Sequence, residues 1–261
     1  MRVLRAFVAR DFFIARSYRA ALVAEVIAGI ANLLLYYFIS KTFNSTSADL
    51  GTAPDYFAFA AVGAAVSTVL HASMASTAVS IRQEQLTGTL EATVSQPISP
   101  IGLAVGLSGL PFIGAGVRVA AYLAAAAALL GLDLSNADVP GAVAVLVASA
   151  TALAGVGIAA AAMVLVVKRG DALTGLLSFA IALLSGAFFP ISVLPDWLQP
   201  IGEVLPTRFA FDGLRSALFG GSWSDDVLWL CVYAVVLLPL SILAFGKALA
   251  HTRKAGTMAE Y

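Results

Sequence analysis

An all-α membrane protein with six transmembrane helices is the fold class that this sequence predicts, on three observations. Of 261 residues, 60% are hydrophobic and only 11% are charged. With a mean hydropathy of +0.93, too few polar side chains exist to cover a water-soluble globule of this size. Six apolar runs are each long enough to cross about 30 Å of hydrocarbon, for which a helix needs about 20 residues. Lysine and arginine gather on one side of those runs, as they do in the cytoplasmic loops of multi-spanning proteins.

The chain opens with residues 1–19, where Val3, Leu4, Phe7, Val8, Ile14 and Tyr18 fall on one side of a helical wheel and Arg2, Arg5, Arg16 and Arg19 fall opposite. That pattern predicts an interfacial helix lying on the cytoplasmic leaflet. Arginines spread along the segment do not fit a cleavable signal peptide. The spans follow at 20–40, 56–80, 111–132, 139–167, 172–194 and 227–249. An even number places both termini on one side. Arg2, Arg5, Arg10, Arg16, Arg19, Arg82, Lys168, Arg169, Lys247, Arg253 and Lys254 make that side cytoplasmic, leaving Lys41, Arg208 and Arg215 outside.

Two segments break the pattern of spans. Residues 81–99 between spans two and three are polar, contain Gly88, and end near Pro97 and Pro100. Glu84 and Glu91, seven apart, share one face if a helix continues through Gly88. Residues 195–224 between spans five and six are apolar yet interrupted by Pro195, Pro200, Pro206, Gly220 and Gly221. Irregular backbone cannot face lipid, so short helices that dip into the outer leaflet or pack on the bundle are expected there, as a re-entrant segment.

Several chemistries are excluded. The sequence contains no G-x-x-x-x-G-K-[ST] phosphate loop, G-x-S-x-G elbow or H-E-x-x-H zinc helix. The single Cys231 and the two dispersed histidines, His71 and His251, offer no metal cluster. Glu25 and Arg118 are the ionisable residues other than histidine inside the spans. Each is expected within a turn or two of the cytoplasmic end, snorkelling to the interface. A membrane enzyme would call for a cluster of acidic or histidine residues at one depth, and a secondary carrier for buried coupling carboxylates; neither pattern occurs. A structural membrane subunit stays open.

Two motif-bearing stretches resemble those of ABC type-2 exporter permeases. GTLE at Gly88–Glu91 and QPIS at Gln96–Ser99 are similar to the family's cytoplasmic coupling helix, apart from Ala92-Thr93-Val94 where a leucine-rich run is usual. The run LSGAFFPISVLPDWLQPIGEVLPTRFAFDGLR, Leu184 to Arg215, resembles its outer re-entrant signature through Gly186, Phe188, Phe189, Pro190, Pro195, Trp197, Pro206 and Arg215. Leu205-Pro206 is closer to the daunorubicin-resistance type than to polysaccharide exporters, which usually carry Asn-Pro there. The resemblance implies a non-catalytic permease in the cell (inner) membrane of a bacterium, paired with a second permease copy and a separate ATP-binding subunit. That subunit, not this chain, would hold ATP and Mg, and no nucleic acid is involved. It would dock on 81–99 through Glu84, Gly88, Thr89, Leu90, Glu91 and Pro97. Asn32, Ser67, Thr68 and Ser178 are the candidates to line a pathway for a drug, natural product or lipid; export of a glycolipid or polysaccharide is the alternative.

Overall fold

A computed structural model describes the backbone of residues 19–42, 50–86, 100–167 and 170–254, and the side chains of 27–42, 50–74, 114–163 and 174–248. The elements are α1 (Arg19–Thr42), α2 (Tyr56–Leu86), α3 (Pro100–Leu130), α4 (Val139–Val167), α5 (Gly170–Leu184), a 3-10 turn (Ile191–Val193), α6 (Gln199–Val204), α7 (Pro206–Phe219) and α8 (Ser224–Lys254). No strand occurs among the described residues. Tyr56–Met74, Val139–Met163 and Ser224–Ala248 are each long and apolar enough to cross a membrane. Shorter apolar stretches lie at Ile27–Thr42, Gly114–Leu130 and Thr174–Leu184.

The bundle is organised around α2. Its apolar stretch is 83% buried, whereas that of α8 is 17% buried. Ala58, Ala60, Ala61, Val62, Ala65, Val66 and Leu70 are all at most 1% exposed, so α2 is apolar all round, as a central helix must be. Along α8 the apolar side chains Leu228, Trp229, Val235, Leu240 and Leu243 are exposed instead, the expected surface of a helix whose solvent is lipid. Helix α4 lies between them. Small residues allow the close approach: a Cβ on Gly155 would lie 2.8 Å from Leu237 Cβ, and one on Gly157 would lie 2.1 Å from the Ser73 carbonyl oxygen. Ser73 donates across to the Leu153 carbonyl. Such small-residue seams are how membrane helices associate without a hydrophobic driving force.

Helices α2 and α4 are capped locally. The Asp55 carboxylate accepts from the Ala58 N–H at 2.7 Å to open α2, and the Asp138 carboxylate accepts from Gly141 at 3.1 Å to open α4. These are N-cap interactions that satisfy donors left over at a helix start.

The helix boundaries correct several expected spans. Helix α4 coincides with 139–167, but α3 begins at Pro100, eleven residues before 111, since proline is well placed in a helix's first turn. Helix α2 runs on through Leu86, so Ile81–Leu86 of the coupling segment continue the second span; residues 87–99 and the interfacial segment 1–18 lie outside the described residues. The fifth span was expected to reach 194, and its helix stops at Leu184. The cause is a Schellman ending. Gly186 has φ +83, Ala187 N–H bonds the Ala182 carbonyl at 3.1 Å and Gly186 N–H reaches Leu183 at 3.5 Å, and Pro190 cannot resume the ladder. The expected re-entrant segment 195–224 resolves into α6 and α7, with Ser224 already opening α8.

The turn after α5 rests on α2 at Gly63, where an added Cβ would lie 1.7 Å from the Ala187 carbonyl oxygen. Replacing Gly63 by Ala is therefore expected to destabilise the fold by about 3 kcal/mol. Gly116, whose added Cβ meets nothing within 4 Å, tolerates the same change. Thermal unfolding of the two purified variants in mild detergent checks the contrast.

Candidate functional site

The end of the molecule beyond α5 is built by two short helices meeting at a corner. Leu205 ends α6 and precedes Pro206, and its φ of −72 and ψ of 135 are the extended geometry that proline imposes on its predecessor. Helix α7 thereby turns away from α6 and buries Thr207, Ala210, Phe211, Leu214, Arg215 and Leu218 along one face. Gly220, at φ +79, ends it in a left-handed cap. Close approach again depends on glycine, because a Cβ on Gly202 would lie 2.2 Å from the Leu184 carbonyl oxygen. Tyr233 of α8 donates to the Val204 carbonyl, and Phe209 stacks on Trp229 with centroids 5.9 Å apart.

Arg215 holds this assembly together. It is only 2% exposed, and its guanidinium donates to the carbonyls of Gly186 at 2.8 Å, Ala187 at 3.2 Å and Phe59 at 3.1 Å. The ring of Phe59 lies 3.5 Å below it, within cation–π range. Asp212 supplies the counter-charge at 3.3 Å. Burial pulls the guanidinium down to about 10, opposed by Asp212, so it carries its charge at neutral pH. The planar fork of arginine suits three carbonyls arriving from two directions, which a lysine's point charge does not reproduce.

Around Arg215 lies a polar cavity of about 420 Å³ lined by Thr52, Phe59, Ser185, Gln199, Glu203, Arg208 and Asp212, among others. Arg208 bridges to Asp212 at 3.5 Å. The signature residues named from sequence converge on this region. Gly186 makes the left-handed turn, Phe188 stacks on Tyr36 of α1 at 5.9 Å, Phe189 is partly buried, and Pro190 precedes the 3-10 turn. The Pro195 carbonyl accepts from Leu198 at 2.8 Å, Pro206 forms the corner, and Trp197 stands 73% exposed.

The four candidate pathway residues separate. Asn32 and Thr68 line a second, mainly apolar cavity of about 370 Å³ between α1, α2 and α3, with Gly29, Leu33, Ala64, Arg118 and Tyr122. Tyr122 donates to Asn32 Oδ1 at 3.1 Å. Ser67 is buried and donates to the Gly63 carbonyl at 2.8 Å. Ser178, also buried, bonds His71 Nδ1 at 2.9 Å and the Gly175 carbonyl at 3.0 Å. Helix α3 starts at Pro100 and ends at Leu130, so Arg118, expected seven residues into a span that began at 111, lies eighteen residues from the helix's start and twelve from its end, the latter roughly 18 Å at the helical rise. The Tyr122 contribution escaped the sequence reading, although its spacing of four from Arg118 puts both on one helical face. Glu84 lies on the last turn of α2 with its side chain outside those described, as is that of Glu25 on α1. Gly88, Thr89, Leu90, Glu91 and Pro97 lie outside the described residues.

The family profile for ABC-2 type transporters matches residues 2–219. The chain belongs to the ABC-2 type transporter family. It is thus a multi-pass membrane protein of a family whose membrane subunit is not itself catalytic. Two curated proteins share shorter stretches with this ABC-2 chain. The linearmycin resistance permease protein LnrN of Bacillus subtilis (strain 168) is 31% identical over 78 residues, 30% of this chain and 20% of its own length. Nodulation protein J of Sinorhizobium fredii (strain NBRC 101917 / NGR234) is 37% identical over 62 residues, 23% of this chain and 24% of its own length. The chain thus spans about a fifth to a quarter of the relatives it matches.

Replacing Arg215 by Gln leaves buried carbonyls of Phe59, Gly186 and Ala187 without a donor, each costing roughly 1–3 kcal/mol. Arg215→Lys restores the charge without the fork. Both variants are expected to lose about 3 kcal/mol or more of stability, with detergent-resistant folded protein falling sharply. Full stability in Arg215→Lys would show that charge alone suffices.

Proposed function

We propose that this chain is the membrane-spanning permease subunit of an ABC exporter, driven by a separate ATP-binding subunit and working as a pair of permease copies. The observation that carries the reading is the family match over residues 2–219 in a chain without any phosphate loop of its own. In this reading a separate ATP-binding subunit holds ATP and Mg and carries out the hydrolysis. Six crossings of the cell membrane, by α1 to α5 and α8, with both termini cytoplasmic, agree with the lysine and arginine bias. Helix α3 has 31 residues and α1 has 24, enough for about 30 Å of hydrocarbon. Helix α5, with 15, would reach the outer leaflet only through the turn and α6.

A mechanical route supports the same reading. Helix α2 is continuous from Tyr56 to Leu86, about 46 Å at the helical rise. Its inner end carries the start of the coupling segment 81–99, and its outer end is held to α5 and α7 by Arg215 through the Phe59 carbonyl. Displacement of Ile81–Leu86 by an ATPase would therefore be delivered along one helix to the assembly around Arg215. The cargo is a hydrophobic or amphipathic molecule, in keeping with the resistance permease among the relatives and with the daunorubicin-resistance resemblance.

Purification from native membranes in mild detergent tests this. An ATP-binding subunit should accompany the intact chain, and a Glu84→Arg, Glu91→Arg double variant should lose most of it, lowering ATPase activity in the purified complex by about tenfold. If no ATPase accompanies the intact chain under conditions that preserve complexes, the exporter reading fails and a structural membrane subunit takes its place.

A further inference from the structure

The polar cavity beside Arg215 is lined by charges of opposite sign that are not paired with one another. Its volume of about 420 Å³ falls within the range of small-molecule sites, roughly 300–1,000 Å³. Arg215 donates to three carbonyls and to Asp212 and is committed to the fold. Arg208 is not. Its Nε lies 3.5 Å from Asp212 and its Nη1 lies 3.4 Å from the Glu203 carbonyl oxygen, both long for such contacts, and its Nη2 has no hydrogen bond or ion pair among the described residues. The Glu203 carboxylate, on the same wall, is also without either among those residues, Arg208 included. Arg208, Asp212 and Ser216 follow at four-residue spacing along one face of α7. Ser216 is 9% exposed and lines the cavity, and its hydroxyl has no partner among the described residues. A buried hydroxyl so placed is costly unless a group in the cavity bonds it.

We propose that this cavity binds the zwitterionic head of an amphipathic molecule, a protonated amine joined by a short linker to a phosphate, with the amine donating to Glu203 and the phosphate accepting from Arg208. A head that is only cationic leaves Arg208 unanswered. One that is only anionic meets Glu203, and beyond it Asp225 and Asp226 at the start of α8. The place of the cavity suits a head carried by a lipid. The membrane-crossing stretches of α2, α4 and α8 begin at Tyr56, Val139 and Ser224, and α7 meets the start of each. Arg215 reaches the Phe59 carbonyl, Asp138 N–H bonds the Ala217 carbonyl at 2.8 Å, and a Cβ on Gly213 would lie 2.9 Å from Asp226 Cβ. Val193, Trp197 and Val204 stand exposed on the adjoining segment, an apolar surface with the tryptophan of a membrane interface. The inference goes beyond the exporter reading, and the binding needs no ATPase.

The test offers the purified full chain, in mild detergent, equimolar phosphatidylethanolamine, phosphatidylglycerol and phosphatidylcholine with identical acyl chains, and counts bound lipid by native mass spectrometry. Phosphatidylethanolamine should be retained about tenfold above phosphatidylglycerol, which has no amine, and above phosphatidylcholine, whose quaternary ammonium has no N–H to donate. Glu203→Gln should bring phosphatidylethanolamine down to the level of the other two, and Arg208→Gln should lower it by a similar factor. Glu203 is exposed on α6, so Glu203→Gln keeps the test decisive if Arg208→Gln fails to fold. Equal retention of the three lipids by the intact chain, or a preference that survives Glu203→Gln, overturns the site. Adding water-soluble glycerophosphoethanolamine separates the sources: displacement of the lipid assigns the site to a free zwitterionic guest, and retention assigns it to a membrane lipid. Loss of the preference leaves the exporter reading standing, and absence of a co-purifying ATPase leaves the site standing.

Discussion

Arg215 satisfies the carbonyls of a helix end that closes inside the protein. When α5 stops at Leu184, the backbone beyond it presents carbonyls that lipid cannot hydrogen-bond. The guanidinium takes those of Gly186 and Ala187, and adds that of Phe59 at the start of α2. One side chain therefore ties together the end of α5, the start of the central helix and α7, on which it resides. The surrounding sequence serves that contact. Gly63 and Gly202 remove the side chains that would keep the backbones apart, and the Leu205-Pro206 corner aims α7 so that Arg215 faces inward. Asp212 balances the charge from the polar cavity side at 3.3 Å.

This arrangement places rigidity and adaptability at different depths. The Tyr56–Met74 part of the central helix is 83% buried and rich in alanine and valine, which leave few side-chain rotamers to rearrange. The assembly around Arg215 is joined to α8 by Tyr233 and by the Phe209–Trp229 stack, while Trp197, Val193 and Val204 stand exposed on its far side. At the polar cavity Arg208 and Asp212 form a half-exposed pair 3.5 Å apart. Exposed pairs of this kind contribute little stability and exchange readily.

The two cavities differ in what surrounds them. The one around Arg215 mixes Glu203, Arg208, Asp212 and Arg215, charges of both signs that tolerate water. The one between α1, α2 and α3 is walled by small apolar residues, with Asn32, Tyr122 and Arg118 as its polar members. An arginine inside a membrane span is costly without polar company, and Asn32 and Tyr122 line the same wall. Ser67 and Ser178 belong instead to helix packing, where Ser and Thr in membrane helices are commonly found.

The sequence by itself determined the solvent of this protein, its all-helical class, and that 195–224 is not a simple span. These follow from local quantities: apolar run length, basic residue placement and proline spacing. It also contained the ending of α5, in Gly186 followed by Pro190, but hydropathy carries on through Phe188 and Phe189 and conceals it. Only the tertiary structure decided what Arg215 binds, because its partners Phe59 and Gly186 are 156 and 29 residues away. It also decided that Asn32 and Thr68 share a wall while Ser67 and Ser178 do not. Hydropathy and spacing give a polar residue its segment, but not the neighbour its hydrogen bond reaches. That neighbour depends on which helices lie side by side, and here glycine at the contact points sets how closely they can.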